Sequence, residues 1–376
     1  MKVLIVSGIW PPDVGGPASH APEAALELIA RGHDVEVVTT AESAPAAERY
    51  PVHWVSRGLP RGVRHLRAAL LIAQRARRAD VVYSTGMVGR SALGATLART
   101  PVVQKLTSDP TYDRSIRYGL YGGALDAFQR ARGTRVRILR LARNLALRRA
   151  ARILIPSESL RELSVAWGVA PERIEVLPNP VEAPADIGER DTLRRRHGLN
   201  GQTLVYAGRL AMQKAVDVAL TAVSRVGGVE LVIAGDGPDA EKLRALAREL
   251  ELNGRARFLG PQPRETVFEL LRAADAVVLS SKWENFPHVA VEALAVGTPV
   301  VATNAGGVAE IVRDGENGLL VPPDDPAALA AAIERYFAEP ELRERLRAAA
   351  PASVQRFAPK RIYDRLEATL RAATRP

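Results

Sequence analysis

Two kinds of apolar spacing alternate along the chain. Short and mostly continuous apolar runs at residues 3–6, 35–39, 81–84, 102–105 and 153–155 are bounded by polar or turn residues. Runs of that kind suit strands covered on both faces, as in a parallel sheet, where no face is left for polar side chains. Between them, residues 18–30 and 66–76 carry apolar residues at helical spacing. Strand and helix in alternation predict an open parallel sheet with crossover helices on both sides. After LPNPVEAPADIGERD (177–191), a proline-containing acidic segment suited to a linker, the pattern restarts with runs at 204–207, 231–234, 257–259, 276–279 and 299–302. The predicted fold class is therefore α/β, two Rossmann-like doubly wound parallel-sheet domains facing across a cleft, divided as residues 1–185 and 186–356. No repeat of 20–50 residues is visible.

Length and composition agree with this picture. A chain of 376 residues is long for one core and comfortable for two. It is 47% hydrophobic and 25% charged, with no apolar run of eighteen residues, so a globular protein without a spanning helix is expected. No basic-then-apolar leader precedes MKVLIVSG and there is no cysteine; disulfide and thiolate chemistry are excluded, and a cytoplasmic location is expected. The net charge of +10 is gathered in one place, because residues 101–152 hold twelve Lys and Arg against Asp109, Asp113 and Asp126. Within that stretch Ile138, Leu141, Ala142 and Leu145 form an i, i+3, i+4, i+7 stripe, expected to pack on the first sheet and leave arginine outside. Two readings stay open: residues 130–152 dock on an anionic membrane surface through Arg135, Arg137, Arg140 and Arg143, or they form a solvated arginine-rich helix. No nucleic-acid partner is expected.

Ligands of open parallel sheets sit where strands end and helices begin, since free backbone N–H groups and the helix dipole favour anions there. In GIWPPDVGGPASH (8–20), Gly15 and Gly16 would let backbone approach a phosphate, unless this is an ordinary Pro/Gly turn. In LVYAGRLAMQKAVDVAL (204–220), Arg209 follows a strand-end glycine and Lys214 opens the next helix; two cations there suit a diphosphate. Gly235, Gly237 and Ala240 match a loose dinucleotide fingerprint, but the next strand ends without a carboxylate for a ribose, which disfavours NAD. In KWENFPHVAVEALAVGTPVVATNAGG (282–307), Glu284 precedes a helix with Pro287 in its first turn, and Glu292 lies about one and a half turns inside it. Carboxylates accept pairs of hydrogen bonds from vicinal diols, so these two beside the N–H groups of residues 288–290 can read a sugar, a diphosphate and a ribose. The neighbours of Glu292 are largely apolar, so a partner for its charge is expected.

Taken together, the Gly15-Gly16 loop, VLPNPV (176–181), GRLAMQK (208–214), AGDGP (234–238) and the E-x7-E pair Glu284 and Glu292 resemble the retaining glycosyltransferases of the GT-B fold in family 4, the glycosyl transferases group 1. The resemblance implies a nucleotide-diphospho-sugar donor, such as a UDP- or GDP-sugar, bound mainly by the second domain. The first domain would bind an acceptor hydroxyl, on a lipid-linked molecule or a glycan precursor, and a closing helix, about 357–376, would pack back onto that domain. It implies that Arg209 and Lys214 hold the diphosphate, that Glu292 holds the donor ribose, and that Glu284 with the backbone of Asn285, Phe286, Pro287, His288 and Val289 holds the transferred sugar. Gly16 would approach the phosphate, and neither a metal nor another cofactor is implied. Three departures from the common pattern matter: Ala215 and Pro287 stand where glycine is frequent, and KLTSDP (105–110) has Ser108 and Asp109 where many relatives place a histidine. Lys105, Ser108 and Asp109 remain acceptor-side candidates, against the alternative that Ser108 and Asp109 cap a helix. The rival readings are an NAD-dependent oxidoreductase and a non-catalytic nucleotide-sugar-binding protein.

Overall fold

The computed structural model describes residues 1–13, 16–123 and 125–374. It divides into two compact units, Met1–Asn179 with Ile362–Pro376, and Pro180–Arg361. The first holds strands β1 (Lys2–Val6), β2 (Asp34–Ala41), β3 (Val52–Ser56), β4 (Val81–Ser84), β5 (Val102–Lys105), β6 (Arg152–Ile155) and β7 (Ile174–Val176). Its helices are α1 (Gly16–Ala30), α2 (Arg61–Ala76), α3 (Val88–Ala98), α4 (Pro110–Arg117), α5 (Leu125–Phe128), α6 (Thr134–Leu147) and α7 (Glu158–Ala166). The second unit holds β8 (Gln202–Ala207), β9 (Val229–Ala234), β10 (Ala256–Gly260), β11 (Ala276–Leu279), β12 (Val300–Thr303) and β13 (Gly318–Val321). Its helices are α8 (Arg190–His197), α9 (Val216–Arg225), α10 (Ala240–Glu249), α11 (Arg264–Ala273), α12 (His288–Ala295), α13 (Pro326–Ala338) and α14 (Pro340–Ser353), and the chain closes with α15 (Pro359–Ala373).

Both sheets are parallel throughout, in the orders β3-β2-β1-β4-β5-β6-β7 and β10-β9-β8-β11-β12-β13. Each order reverses once, between β1 and β4 and between β8 and β11. At such a reversal the loops leaving two neighbouring strands diverge and open a crevice. The central strands are apolar on both faces because helices cover both: Ile5 and Tyr83 share one core with α1, while Leu4, Val6 and Val82 share another with α2 and α3. Helix α15 belongs to the first unit through Ile362, Tyr363, Leu366 and Leu370, which lie at helical spacing and are buried beside Trp10 and Leu177. Each such aliphatic side chain contributes about 1.5–3 kcal/mol on burial. Two polar clusters hold the same helix. Arg31 pairs with Asp364 and Glu367 at 2.7 and 3.0 Å, and Glu175 accepts from Arg365 and Thr369 at 3.0 and 2.6 Å. Among the described residues, no helix is long and apolar enough to cross a membrane.

The stripe on α6 turns the other way from its expected orientation. Ile138, Leu141 and Leu145 are 61%, 60% and 54% exposed, and the helix instead buries Val136, Arg143 and Leu147. The cause is Arg143, whose guanidinium is drawn inward to Asp109 at 2.5 Å and lies 3.9 Å above the ring of Trp167. A paired, stacked and nearly dry guanidinium fixes which face of the helix meets the sheet.

Candidate functional site

In the second unit the loops after β8 and β11 meet at the β8–β11 reversal. They are sewn together by Gln213, whose side-chain amide donates to the Trp283 carbonyl at 3.0 Å and whose own carbonyl accepts from the Lys282 N–H at 2.9 Å. The Ser280 hydroxyl adds a third bond, to the carbonyl of Lys214 at 3.1 Å. This brings Lys214 and Glu284, seventy residues apart in sequence, into direct contact: Nζ of Lys214 donates to Oε1 of Glu284. The hydroxyl of Ser281 donates to the same oxygen at 2.8 Å. Glu284 is buried and Lys214 is half-buried. Lys214 ends a single 3-10 turn, and the chain turns into α9 through Ala215, held at φ +44°. That left-handed conformation accounts for the glycine common at this position, and a Cβ there costs about 1–2 kcal/mol.

Arg209 is exposed on the same loop, and among the described residues its guanidinium makes no ion pair; its carbonyl accepts from the buried hydroxyl of Tyr206 at 2.9 Å. The loop rests on β9. A Cβ at Gly235 would lie 1.8 Å from the carbonyl oxygen of Gly208, and one at Gly237 would lie 2.1 Å from that of Leu210. The Leu210 N–H donates to Asp236 and its carbonyl accepts from Asp239, at 2.9 and 3.1 Å. The two glycines that match a dinucleotide fingerprint thus seat the Arg209 loop, so the space a pyrophosphate would need over them is filled by backbone.

Glu284 is also fixed from behind, by a feature the sequence reading did not use. Gly306, at φ +58°, would place a Cβ 2.3 Å from the Glu284 carbonyl, and the N–H of Gly307 donates to that carbonyl at 2.8 Å. The signal available was the AGG run at the end of β12. Beyond Glu284, Asn285 is half-buried, and Phe286 packs edge-on between His288 and Phe357, with centroids 5.2 and 5.4 Å away. Pro287 precedes α12 as its N-cap instead of lying in its first turn, and the Ala290 N–H is taken by the Pro287 carbonyl at 3.0 Å. Val289 is half-buried and His288 exposed.

Glu292 lies on α12 with its side chain 16% exposed, and Arg264, at the start of α11, is its ion-pair partner at 3.6 Å. Burial holds its carboxyl above the ordinary range, and Arg264 offsets only part of this. The partner expected for Glu292 therefore exists, but at a separation longer than a hydrogen bond. Arg264, which also lies 5.4 Å over the Phe268 ring, was not singled out as that partner from sequence.

The first unit carries the two donor-side glycines and the acceptor-side candidates. Gly15 lies outside the described residues, and Gly16 opens α1. Lys105 is buried and donates to the carbonyls of Leu177 and Pro178; burial, then Arg365, pushes its ammonium down to about 7. It ties β5 to the segment after β7. Asp109 is the N-cap of α4, accepting from the N–H groups of Thr111 and Tyr112 at 2.9 and 3.3 Å, with Gln129 and Arg143 on its other oxygen. With its lone pairs taken, Asp109 has no capacity left for an acceptor. Ser108 donates to Asp113.

Comparison with known proteins bears on this arrangement. Residues 15–180 match the glycosyl transferase 4-like domain and residues 189–353 match glycosyl transferases group 1. A D-inositol 3-phosphate glycosyltransferase of Acidothermus cellulolyticus is 39% identical over 214 residues, 52% of this chain; the chain spans about half, 47%, of that relative's length. An uncharacterized glycosyltransferase of Methanocaldococcus jannaschii is 28% identical over 369 residues, covering 92% of this chain and 91% of its own. The structure of Anabaena HepE in complex with UDP superposes with a TM-score of 0.77 at 25% identity, covering 99% of this chain and all of that one.

Proposed function

The chain belongs to the glycosyl transferases group 1, with the GT-B fold, and from that premise we propose that it is a retaining enzyme moving a hexose-type sugar from a nucleotide-diphospho-sugar to an acceptor hydroxyl. The observation that carries this reading is the Lys214–Glu284 contact at the β8–β11 reversal, with Arg209 exposed on the same loop. In the proposed site Arg209 and Lys214 hold the diphosphate, Glu292 accepts from the donor ribose, and Glu284 with the backbone of residues 285–289 holds the sugar. The bond from the anomeric carbon to the phosphate oxygen breaks as the acceptor oxygen arrives on the same face. The acceptor proton passes to the departing phosphate. Negative charge grows on that phosphate, where two preorganised cations contribute most, and they take the part a divalent ion plays in other diphosphate sites. The UDP held by HepE supports a nucleotide donor. An NAD-dependent oxidoreductase is disfavoured because backbone fills the space over Gly235 and Gly237. A non-catalytic nucleotide-sugar-binding protein would have little need of Arg209 and Lys214.

Glu284→Ala tests the assignment of the sugar subsite. Transfer is expected to fall by about two orders of magnitude, the usual consequence of losing one well-placed polar group, while the affinity for free UDP changes little, since UDP carries no sugar at that subsite. Calorimetry with UDP, run beside a transfer assay, decides this. An equal loss in UDP affinity would move Glu284 out of the sugar site.

We further assign the exposed face of α6 to an anionic membrane surface, on the cytoplasmic side. Arg140 and Arg143 do not serve there, because Arg140 donates to the carbonyls of Phe128 and Gln129 and Arg143 is buried. What remains is an apolar ridge of Ile138, Leu141 and Leu145 beside exposed Arg135, Arg137, Arg148 and Arg149. Sedimentation with anionic vesicles should show binding that weakens with salt, and that Leu141→Ser with Arg137→Gln reduces several-fold, at about 1 kcal/mol per surface charge. Equal sedimentation with neutral vesicles, or none at low salt, would leave this face without that role.

A further inference from the structure

Strands β4 and β5 of the first unit end over a cavity of about 280 Å³, lined among others by Thr85, Gly86, Arg90, Thr107, Ser108 and Arg114. It adjoins the β1–β4 reversal, since the loop after β4 lies against the loop after β1: a Cβ at Gly86 would come within 2.8 Å of the Gly8 nitrogen. Arg90 stands in the first turn of α3 and Arg114 on α4. Arg61 and Arg64, from the first turn of α2, complete the group. Arg61 lies 5.0 Å over the ring of Tyr118, and Arg64 donates to the Arg57 carbonyl at 2.9 Å.

Four guanidinium groups therefore converge on one end of the sheet, and among the described residues none of them pairs with a carboxylate. Of the acids flanking α4, Asp109 accepts from Arg143 and from the N-terminus of that helix, and Asp113 accepts from Ser108; neither forms an ion pair with these arginines. The arginines are felt by one another: burial, then Arg64 and Arg114, pushes Arg90 down to about 10, and all four hold the nearby His65 below its ordinary value after burial. Clustered like charge without a counter-charge is unfavourable, and a bound anion relieves it.

We infer that this cavity takes a phosphate ester carried by the acceptor, gripped by Arg90 and Arg114 in the field of Arg61 and Arg64. Planar guanidinium forks match a phosphate's oxygens in pairs, which a neutral sugar does not offer. The inference rests on the reading of the first unit as the acceptor side, and it narrows the acceptor from any hydroxyl to one on a phosphorylated molecule.

The experiment is calorimetric titration of the full chain with glycerol 3-phosphate and with glycerol, in saturating UDP so that the diphosphate cations of the second unit are occupied. Glycerol 3-phosphate should bind and glycerol should not. Arg90→Gln and Arg114→Gln should each weaken binding about tenfold, the scale of one charge-assisted hydrogen bond, whereas Lys242→Gln, an exposed charge on α10, should not. Arg114 is exposed, so its variant decides the matter should Arg90→Gln melt early. Vesicles containing phosphatidic acid identify the source: binding to them that Arg90→Gln and Arg114→Gln weaken, without binding of the soluble ester, assigns a lipid headgroup, and the reverse a free phosphate ester; vesicle binding that neither variant changes belongs to α6 and overturns the lipid source. No binding to either at low salt, or binding unchanged in both variants, overturns the inference. UDP affinity, measured first, reports on the donor reading alone, so the two can fail separately.

Discussion

Lys214→Ala is expected to lower turnover by about two to three orders of magnitude, the cost of removing one preorganised group from developing charge, with a smaller change in donor affinity. Two consequences of the same contact produce this. The ammonium is the cation nearest the proposed sugar carboxylate, since it donates directly to Glu284, and in the donor complex it is proposed to face the diphosphate as well. Its loss also leaves Glu284, 7% exposed at the side chain, with Ser281 as its remaining described side-chain partner. Removing one partner of a buried hydrogen-bonded group costs about 1–3 kcal/mol, so the variant should melt at a lower temperature too. Lys214→Ala with Glu284→Ala separates the effects. The double variant should recover stability relative to Lys214→Ala, because no buried charge is stranded, while activity stays low. Full recovery of activity in the double variant would show that Lys214 serves only to neutralise Glu284.

Gly235→Ala is expected to cost about 3 kcal/mol or more, as overpacking and backbone strain add at one position. The residue sits at φ +150°, and the new Cβ would meet the Gly208 oxygen at 1.8 Å, well inside any tolerable contact. Relief requires the 208–210 loop to move, and that loop carries Arg209. Any folded fraction should therefore bind UDP poorly as well. Gly227→Ala is the matched control, with open space around its Cβ, and should change stability by no more than about 0.5 kcal/mol. Chemical denaturation of the two variants beside the parent checks the contrast. Similar midpoints for both would mean that the 208–210 loop yields easily and does not depend on Gly235.

Both substitutions act through contacts that close between segments far apart in the chain, and this separates what the sequence made legible from what it did not. The run 276–279 was readable as a strand to the residue, because a four-residue stretch buried on both faces has no polar position to blur its ends. Strands β3, β7 and β13 went unread. They lie at sheet edges, where β3 is half-covered and β7 is three residues long. The periodicity of α6 identified a stripe correctly and assigned it the wrong side, because the residue deciding the matter, Arg143, is buried through partners 34 and 24 positions away. Asp109 could be read as a cap from its place before Pro110, yet Gln129 and Arg143, which complete its shell, are long-range contacts. In the second unit the strand-end rule singled out Arg209, Lys214, Glu284 and Glu292 as candidates, and the fold places the first three in the segments after β8 and β11 and the fourth on α12. The Lys214–Glu284 contact, the role of Arg264, and the support of Glu284 by Gly306 and Gly307 required the folded chain.

The most direct test is calorimetric titration of the full chain with UDP, GDP, ADP and NAD, repeated on Glu292→Ala. A nucleoside diphosphate is proposed to lie on the loops after β8 and β11 with its ribose on Glu292, so one or more of the three diphosphates should bind and NAD should not. Glu292→Ala should weaken that binding about tenfold, as expected for one lost hydrogen bond to a charged group. Binding of NAD alone, or of a diphosphate with an affinity that Glu292→Ala leaves unchanged, would contradict it.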